Sequence, residues 1–306
     1  MRITQIKVPF PSEYGRGRGT NAYLLEGEIK VLVDSGFDSE ENRKFIRKAL
    51  EKTGAWDLDV IVLTHGHLDH FSLGVYLQRE TGASLMVHKD DSEMLTDYST
   101  YYSKWFEEIC GYAVEGGFDP GILEEARIKL ITAASILSRY APHEEFTEIS
   151  LAGGSVRTMH LPGHTDGSVG VVTGDAVFAG DAMIEGSTVV RDLKKEFNSL
   201  EKLKVFKRVY PGHDRSPLSR AEVETLEAHF VSRLDKVLSV SRGGARLKDV
   251  VTSLYGEMML DHAPYRLILP INQAIAYLKY LETEGHVEKR GGMWYSFVES
   301  ISSPVG

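Results

Sequence analysis

Residues 64–70 read Thr-His-Gly-His-Leu-Asp-His and directly follow the apolar run Val60, Ile61, Val62 and Leu63. A continuous apolar run this short is of the buried-strand type, so a central strand delivers polar side chains at its C-terminal end. His65, His67, Asp69 and His70 are all groups that bind zinc and similar divalent ions, and Gly66 is expected to let the loop turn tightly enough for them to converge. A solvated polar turn is the plainer reading. Three of the chain's eleven histidines in six positions, placed behind an apolar strand, argue against it.

Three later segments share this character. Pro162-Gly163-His164, Gly180-Asp181 and Pro211-Gly212-His213 each set one ligand-type residue directly after a glycine. Taken singly, a Gly-Asp is usually a turn and a Gly-His is more often structural. Together with the first cluster they make five histidines and two aspartates, too many for one tetrahedral ion and suited to two. Cys110 is the only cysteine, which excludes an internal disulfide and a thiolate-rich cluster.

The surrounding pattern is α/β. Strands are expected at 2–8, 22–25, 29–34 and 60–63, and at 84–88, with a glycine-rich turn at 15–19 and helices at 39–52 and 71–80. Segment 91–145 breaks this rhythm and reads as a helical insertion overhanging the site. Asp119-Pro120 is a helix start there, and Tyr98, Tyr101, Tyr102, Trp105 and Phe106 cluster in its first part. Strand-like VRTMHL, SVGVVT and AVFAGDA follow, then helical NSLEKLK and the strand of RVYPGH. A long amphipathic helix starts at Ser219, which forms a capping box with Glu222, and ends at Ser241-Arg242-Gly243-Gly244. Two more helices and a hairpin turning at Gly291-Gly292 complete a winged-helix order. The expected division is 1–218 with its insertion, a connecting helix at 219–244, and a winged-helix-like domain at 245–306.

The series HxHxDH, PGH, GD and PGH across about 1–215 resembles the metallo-β-lactamase superfamily, in the order of its glyoxalase II-like branch. With the long helix and the tail, the chain is similar to the β-lactamase-like protein 2 subgroup, which includes endoribonucleases; His229 and Arg233 fit that subgroup. The resemblance implies an αβ/βα four-layer sandwich with the site at the strand ends. It implies that His65, His67 and His164 hold a first metal, that Asp69, His70 and His213 hold a second, and that Asp181 bridges them. Asp69 and Asp181 are the implied catalytic carboxylates. Asp34, in VDSG, matches an aspartate that orients the ligand loop, with a simple turn aspartate as the alternative. His67 and Asp181 separate the chain from flavodiiron relatives and from the commonest true β-lactamases. It departs from many relatives at Asp166, where proline is usual, and at Asp214, where glycine is common; both are expected to alter the site rim.

Two divalent ions per chain are expected, zinc first and iron or manganese as alternatives. Such a pair, about 3.5–4 Å apart, shares a hydroxide that attacks an ester-type carbonyl or a phosphorus centre. The favoured reading is a hydrolase of small-molecule thioesters, esters or lactones. The alternative is an endoribonuclease or phosphodiesterase on single-stranded nucleic acid, and a non-enzymatic binder on a vestigial hydrolase is disfavoured because every ligand is intact. A net charge of −9 gives no electrostatic reason for nucleic acid, and residues 245–306 carry six Lys/Arg against seven Asp/Glu. In 271–285 Lys279 is the only basic residue, and Asn272, Gln273, Tyr277, Tyr280 and Thr283 are expected to face outward. The tail is therefore expected to pack on the catalytic domain or mediate a homodimer. Arg16 and Arg18 read as an anion clamp or a solvated flap, and the aromatic cluster as a pocket wall or as packing. With no signal-type segment and no eighteen-residue apolar run, a cytoplasmic protein without a membrane span is expected.

Overall fold

A computed structural model describes residues 1–10, 19–137, 142–186, 188–257 and 264–301. Arg16 and Arg18, with most of the glycine-rich turn, lie outside the described residues. The first sheet runs in sequence order through β1 (Arg2–Val8), β2 (Thr20–Glu26), β3 (Lys30–Val33), β4 (Val60–Val62), β5 (Ser84–His88) and β6 (Glu144–Phe146). Its first three strands pair antiparallel. From β3 onward they pair parallel, because α1 (Glu40–Thr53) and α2 (Leu68–Thr81) carry the chain back between strands. The insertion between β5 and β6 holds α3 (Ser92–Thr96), α4 (Tyr98–Glu115) and α5 (Pro120–Leu137). The second sheet contains β7 (Ser150–Leu151), β8 (Val156–His160), β9 (Val169–Thr173), β10 (Ala176–Gly180) and β11 (Arg208–Pro211), ordered β11-β10-β9-β8-β7. Within it only β10 and β11 run parallel, joined by the crossover through α6 (Leu193–Leu203).

The pleat sorts the apolar side chains into layers. Tyr23, Leu25, Val31 and Val33 point between the sheets and meet Val169, Val171, Phe178 and Tyr210. Their neighbours Ala22, Leu24 and Leu32 face the other way, onto Ile46 and Leu50 of α1 and Leu73 of α2. On β10, Ala176 and Phe178 join the inter-sheet layer, while Val177 and Ala179 pack toward Phe197 and Leu200 of α6. The result is the expected helix, sheet, sheet, helix sandwich, with strand ends gathered along one edge.

Two local differences from the sequence reading matter for the site. The helix expected at 71–80 begins at Leu68, so Asp69 and His70 lie in its first turn rather than in the loop. Ligand-type side chains occupy that turn, which hides it from an apolar periodicity. Strands β6 and β7 are short and polar and offer no alternation to read.

The connecting helix, α7 (Arg220–Ser241), starts with the Ser219–Glu222 capping box expected from the sequence. Beyond it lie α8 (Leu247–Tyr255), α9 (Ile268–Thr283) and the hairpin β12 (Val287–Arg290) and β13 (Met293–Ser296). Gly291 and Gly292, with φ of 55° and 76°, make its two-residue turn. One apolar cluster joins Phe197, Phe230, Ile271, Tyr277 and Trp294 with Phe106 of the insertion. The outward face expected for α9 is a correction: Asn272, Gln273, Tyr277 and Tyr280 are all buried, and Thr283 alone of the five is exposed. The reason is that α9 packs against four other helices, α4, α6, α7 and α8. Among the described residues no helix is long and apolar enough to cross a membrane.

Candidate metal centre

All seven ligand-type residues read from the sequence come together at the strand-end edge. His65 and His67 follow β4, Asp69 and His70 open α2, His164 follows β8, Asp181 directly follows β10, and His213 follows β11. His67 Nδ1 lies 3.0 Å from His65 Nε2 and 2.9 Å from His164 Nε2. On the other side, His70 Nε2 lies 3.2 Å from His213 Nε2, and His213 Nε2 is 3.4 Å from Asp69 Oδ2. Asp181 stands between the groups, with Oδ1 3.4 Å from His70 Nε2 and Oδ2 3.4 Å from His213 and 3.7 Å from His164. Three sets therefore have atoms close enough to share an ion: His65, His67 and His164; His65, His70 and Asp181; Asp69, His70 and His213.

Most of these rings are held from behind. His164 Nδ1 meets Val189 O at 2.6 Å, His70 Nδ1 meets Asp34 Oδ2 at 2.9 Å, and His65 Nδ1 meets Thr64 Oγ1 at 3.1 Å. Fixing one ring nitrogen leaves the other presented to the centre, as metal sites require. Gly212 is needed for space: a Cβ there would stand 2.3 Å from Asp181 Oδ1 and 2.7 Å from His70 Cε1. Gly66 serves by close approach too, not by a left-handed turn, since a Cβ would meet Met94 at 2.9 Å.

The charge balance of the cluster suits cations. Burial, with the imidazoles of His70, His67 and His164, holds His65 well below the ordinary histidine value, and burial leads the same shift at His67. Neutral imidazole is the ligand form. At His70 and His213 burial also acts downward, but Asp181, with Asp69, outweighs it and raises them to about 9 and about 12. Burial would raise Asp69, yet His70 and His213 draw it down to about 2. Two ionised aspartates thus draw positive charge to one point. Asp181 Oδ1 is buried there with no hydrogen-bond partner among the described residues. These residues fit divalent ions.

Two aspartates frame the loops. Asp34 adopts φ 56°, a left-handed position that aspartate tolerates better than most residues. Its Oδ1 accepts the Thr64 N–H at 2.8 Å, and its Oδ2 accepts the Thr64 hydroxyl at 2.7 Å and faces His70 Nδ1. It is a loop-orienting residue, not only a turn. Asp91 was not singled out by its sequence context, where Lys89-Asp90-Asp91 resembles a solvated acidic turn. Its buried carboxylate accepts from Gly66 N, Gly167 N and Thr165 Oγ1 at 2.9, 2.8 and 2.7 Å, tying the HxHxDH loop to the one that carries His164. Of the two sequence departures, Asp214 sits at φ 66°, where glycine is at ease, and Asp166 pairs with Lys195 at 2.6 Å.

Glu196 of α6 lies wholly buried behind Gly163 with no cationic partner among the described residues, and burial pushes its pKa well above the ordinary value against the opposing pull of the His164 backbone. A carboxyl raised in the folded state costs nothing at low pH and destabilises as pH climbs from its unfolded value, about 4.3, toward its folded one. Glu196→Gln is therefore expected to match the native protein in urea unfolding near pH 4 and to exceed it by at least about 1 kcal/mol near pH 8. A variant weaker by the same amount at both pH values would contradict this account of Glu196.

Beside the cluster opens a cavity of about 310 Å³. Tyr98, Tyr102 and Trp105 of the insertion, Ile184, Leu269 and Asn272 wall it, and His67, Asp69, His164 and Asp181 reach its floor. The insertion does overhang the site. Its aromatic residues serve both readings: Tyr98 and Tyr102 line the cavity, while Phe106 is packed in the core.

A family model described as the metallo-β-lactamase superfamily matches residues 15–231. The β-lactamase-like protein 2 homolog of Drosophila melanogaster is 30% identical over 254 residues, spanning 78% of this chain and 75% of its own. An atrochrysone carboxyl ACP thioesterase of Aspergillus fumigatus is 22% identical over 311 residues, 94% of this chain and 84% of its own. The crystal structure of a metallo-β-lactamase family protein from Thermus thermophilus shares the fold with a TM-score of 0.74 at 23% identity, over 96% of this chain and 98% of that one. The chain belongs to the metallo-β-lactamase superfamily and is a metal-dependent hydrolase. Within the superfamily it stands with the β-lactamase-like protein 2 relatives.

Proposed function

We propose that His65, His67 and His164 hold one divalent cation, that Asp69, His70 and His213 hold a second, and that Asp181 touches both. Zinc is the first choice because the donors are imidazole and carboxylate without thiolate, with iron or manganese as alternatives. The position of Asp181 carries this reading, since its carboxylate lies 3.4–3.7 Å from histidines of both sets. When bound, such a pair supplies a water of lowered pKa as nucleophile and Lewis acidity at the reacting carbonyl. The protein's own groups do the rest. Asp34 and the Val189 carbonyl hold His70 and His164 in orientation, and Asp69 and Asp181 keep negative charge at the centre. The aromatic wall excludes water and shapes the acyl site. Cys110, on α4 with its thiol raised to about 11 by burial, is not among the residues that line the cavity.

The substrate class that fits is a small thioester, ester or lactone. A mostly apolar cavity beside the cluster supports this, as does a thioesterase relative spanning nearly the whole chain. The nucleic-acid alternative gains less: α9 is covered, and Lys279 and Lys289 are engaged by Glu108 and Glu115. Zinc-loaded protein assayed against a thioester, a lactone, a bis-phosphodiester and short single-stranded RNA is expected to prefer the thioester or lactone in kcat/KM and to lose that turnover to chelator. A phosphodiester or RNA preference would replace this reading with the nuclease one.

A further inference from the structure

Arg191 enters the cavity from the segment leading from β10 into α6. Aromatic faces box in its guanidinium, whose carbon lies 5.0, 5.9 and 5.2 Å from the ring centroids of Tyr101, Tyr102 and Trp105. Among the described residues the guanidinium has one hydrogen-bond partner, the Tyr101 hydroxyl. Asp91, the carboxylate whose charge acts on it, is already committed to Gly66, Gly167 and Thr165. A guanidinium carries five N–H donors in a fork that matches oxyanions, and most of these donors are left without an acceptor among the described residues.

The backbone at this point is fixed from both sides. Arg191 N and Asp192 N donate to Gly163 O at 2.8 and 3.1 Å, next to His164. One residue earlier, Val190 N donates to Gln273 Oε1 at 2.9 Å and Val190 O accepts from Asn272 Nδ2 at 3.1 Å. Helix α9 thereby sets where Arg191 enters the cavity. Tyr102, one wall of the aromatic box, has its ring 6.3 Å from that of His67. A fixed cation so close to a cation-binding cluster is unfavourable unless an anion lies beside it.

We propose that Arg191 anchors an oxyanion of the substrate, a carboxylate or phosphate set apart from the bond that is cleaved, so that the substrate is an ester or thioester with an anionic tail lying along the aromatic wall. This rests on the hydrolase reading above. The test compares thioesters of equal length ending in a carboxylate, a phosphate or a neutral amide. Native zinc-loaded protein is expected to favour one anionic thioester over the neutral one by at least about tenfold in kcat/KM. Arg191→Gln should raise KM for that substrate roughly 10- to 100-fold with metal content unchanged, and Arg191→Lys should restore part of the loss. Absence of any anionic preference, or an equal loss on the neutral thioester, would overturn the assignment.

If none of the three is turned over, it is the hydrolase reading that fails, and binding decides the role of Arg191. Glutarate and inorganic phosphate are then titrated into the full chain against its tryptophan fluorescence. The assignment expects one of them to bind the native protein and Arg191→Lys but not Arg191→Gln. Equal binding to native and Gln proteins would place the anion on the metal centre, and no binding to the native protein would leave Arg191 without a ligand; either result overturns the proposal.

Discussion

Asp181→Ala is expected to strip the protein of most of its bound metal and to lower its hydrolase turnover by at least about 10³-fold, with the sandwich still folded. The residue directly follows β10, whose apolar side chains Phe178 and Ala179 secure the strand independently of the carboxylate. Its own oxygens face His70, His164 and His213, and among the described residues Oδ1 has no hydrogen-bond partner. Removing it deletes one proposed contact from each cation and the main charge that attracts them. Elemental analysis and far-ultraviolet circular dichroism on the same preparation separate metal loss from unfolding. Turnover within tenfold of native would show that another group spans the two histidine sets.

The second large effect is expected at Asp34, which contacts no proposed ion. Asp34→Ala leaves the Thr64 N–H, the Thr64 hydroxyl and the His70 imidazole without their common acceptor, in a region closed to water. It also puts alanine at φ 56°, where a Cβ is strained. Together these are expected to cost about 3–5 kcal/mol of stability. The affinity for divalent ions should fall roughly 10- to 100-fold, because His70 loses the partner that fixes its ring. Asp34→Asn keeps an acceptor and tolerates the left-handed backbone, so it should lie between. Native metal affinity in Asp34→Ala would reduce Asp34 to a turn residue.

The candidate centre was legible in the sequence wherever chemistry and spacing coincide. His65, His67, Asp69 and His70 crowd behind an apolar strand, and His164, Asp181 and His213 each follow a glycine, so donor type and position both mark them. Asp34 was legible only through the resemblance of VDSG to the family's pattern, since its place after a strand suits a simple turn equally well. Asp91 was not, because nothing local distinguishes a buried loop tie from a solvated acid beside Asp90. Arg191 was invisible for a related reason: its aromatic box comes from residues 101–105, about ninety positions away. The strands and α7 were readable from alternation and capping. The outward face expected of α9 is largely absent because four helices pack on it, and Asn272 and Gln273 are buried as clamps on the Val190 peptide rather than exposed to solvent. Polar type alone is a poor guide to exposure once a helix is packed among others.

The central claim is a two-cation hydrolase centre, and metal stoichiometry tests it most directly. Protein purified without chelator, dialysed and analysed for metals together with its concentration, is expected to hold close to two divalent ions per chain, zinc foremost. A reproducible value of one, unchanged by Asp69→Ala or His213→Ala, would contradict the account, because the Asp69, His70 and His213 set would then hold no ion.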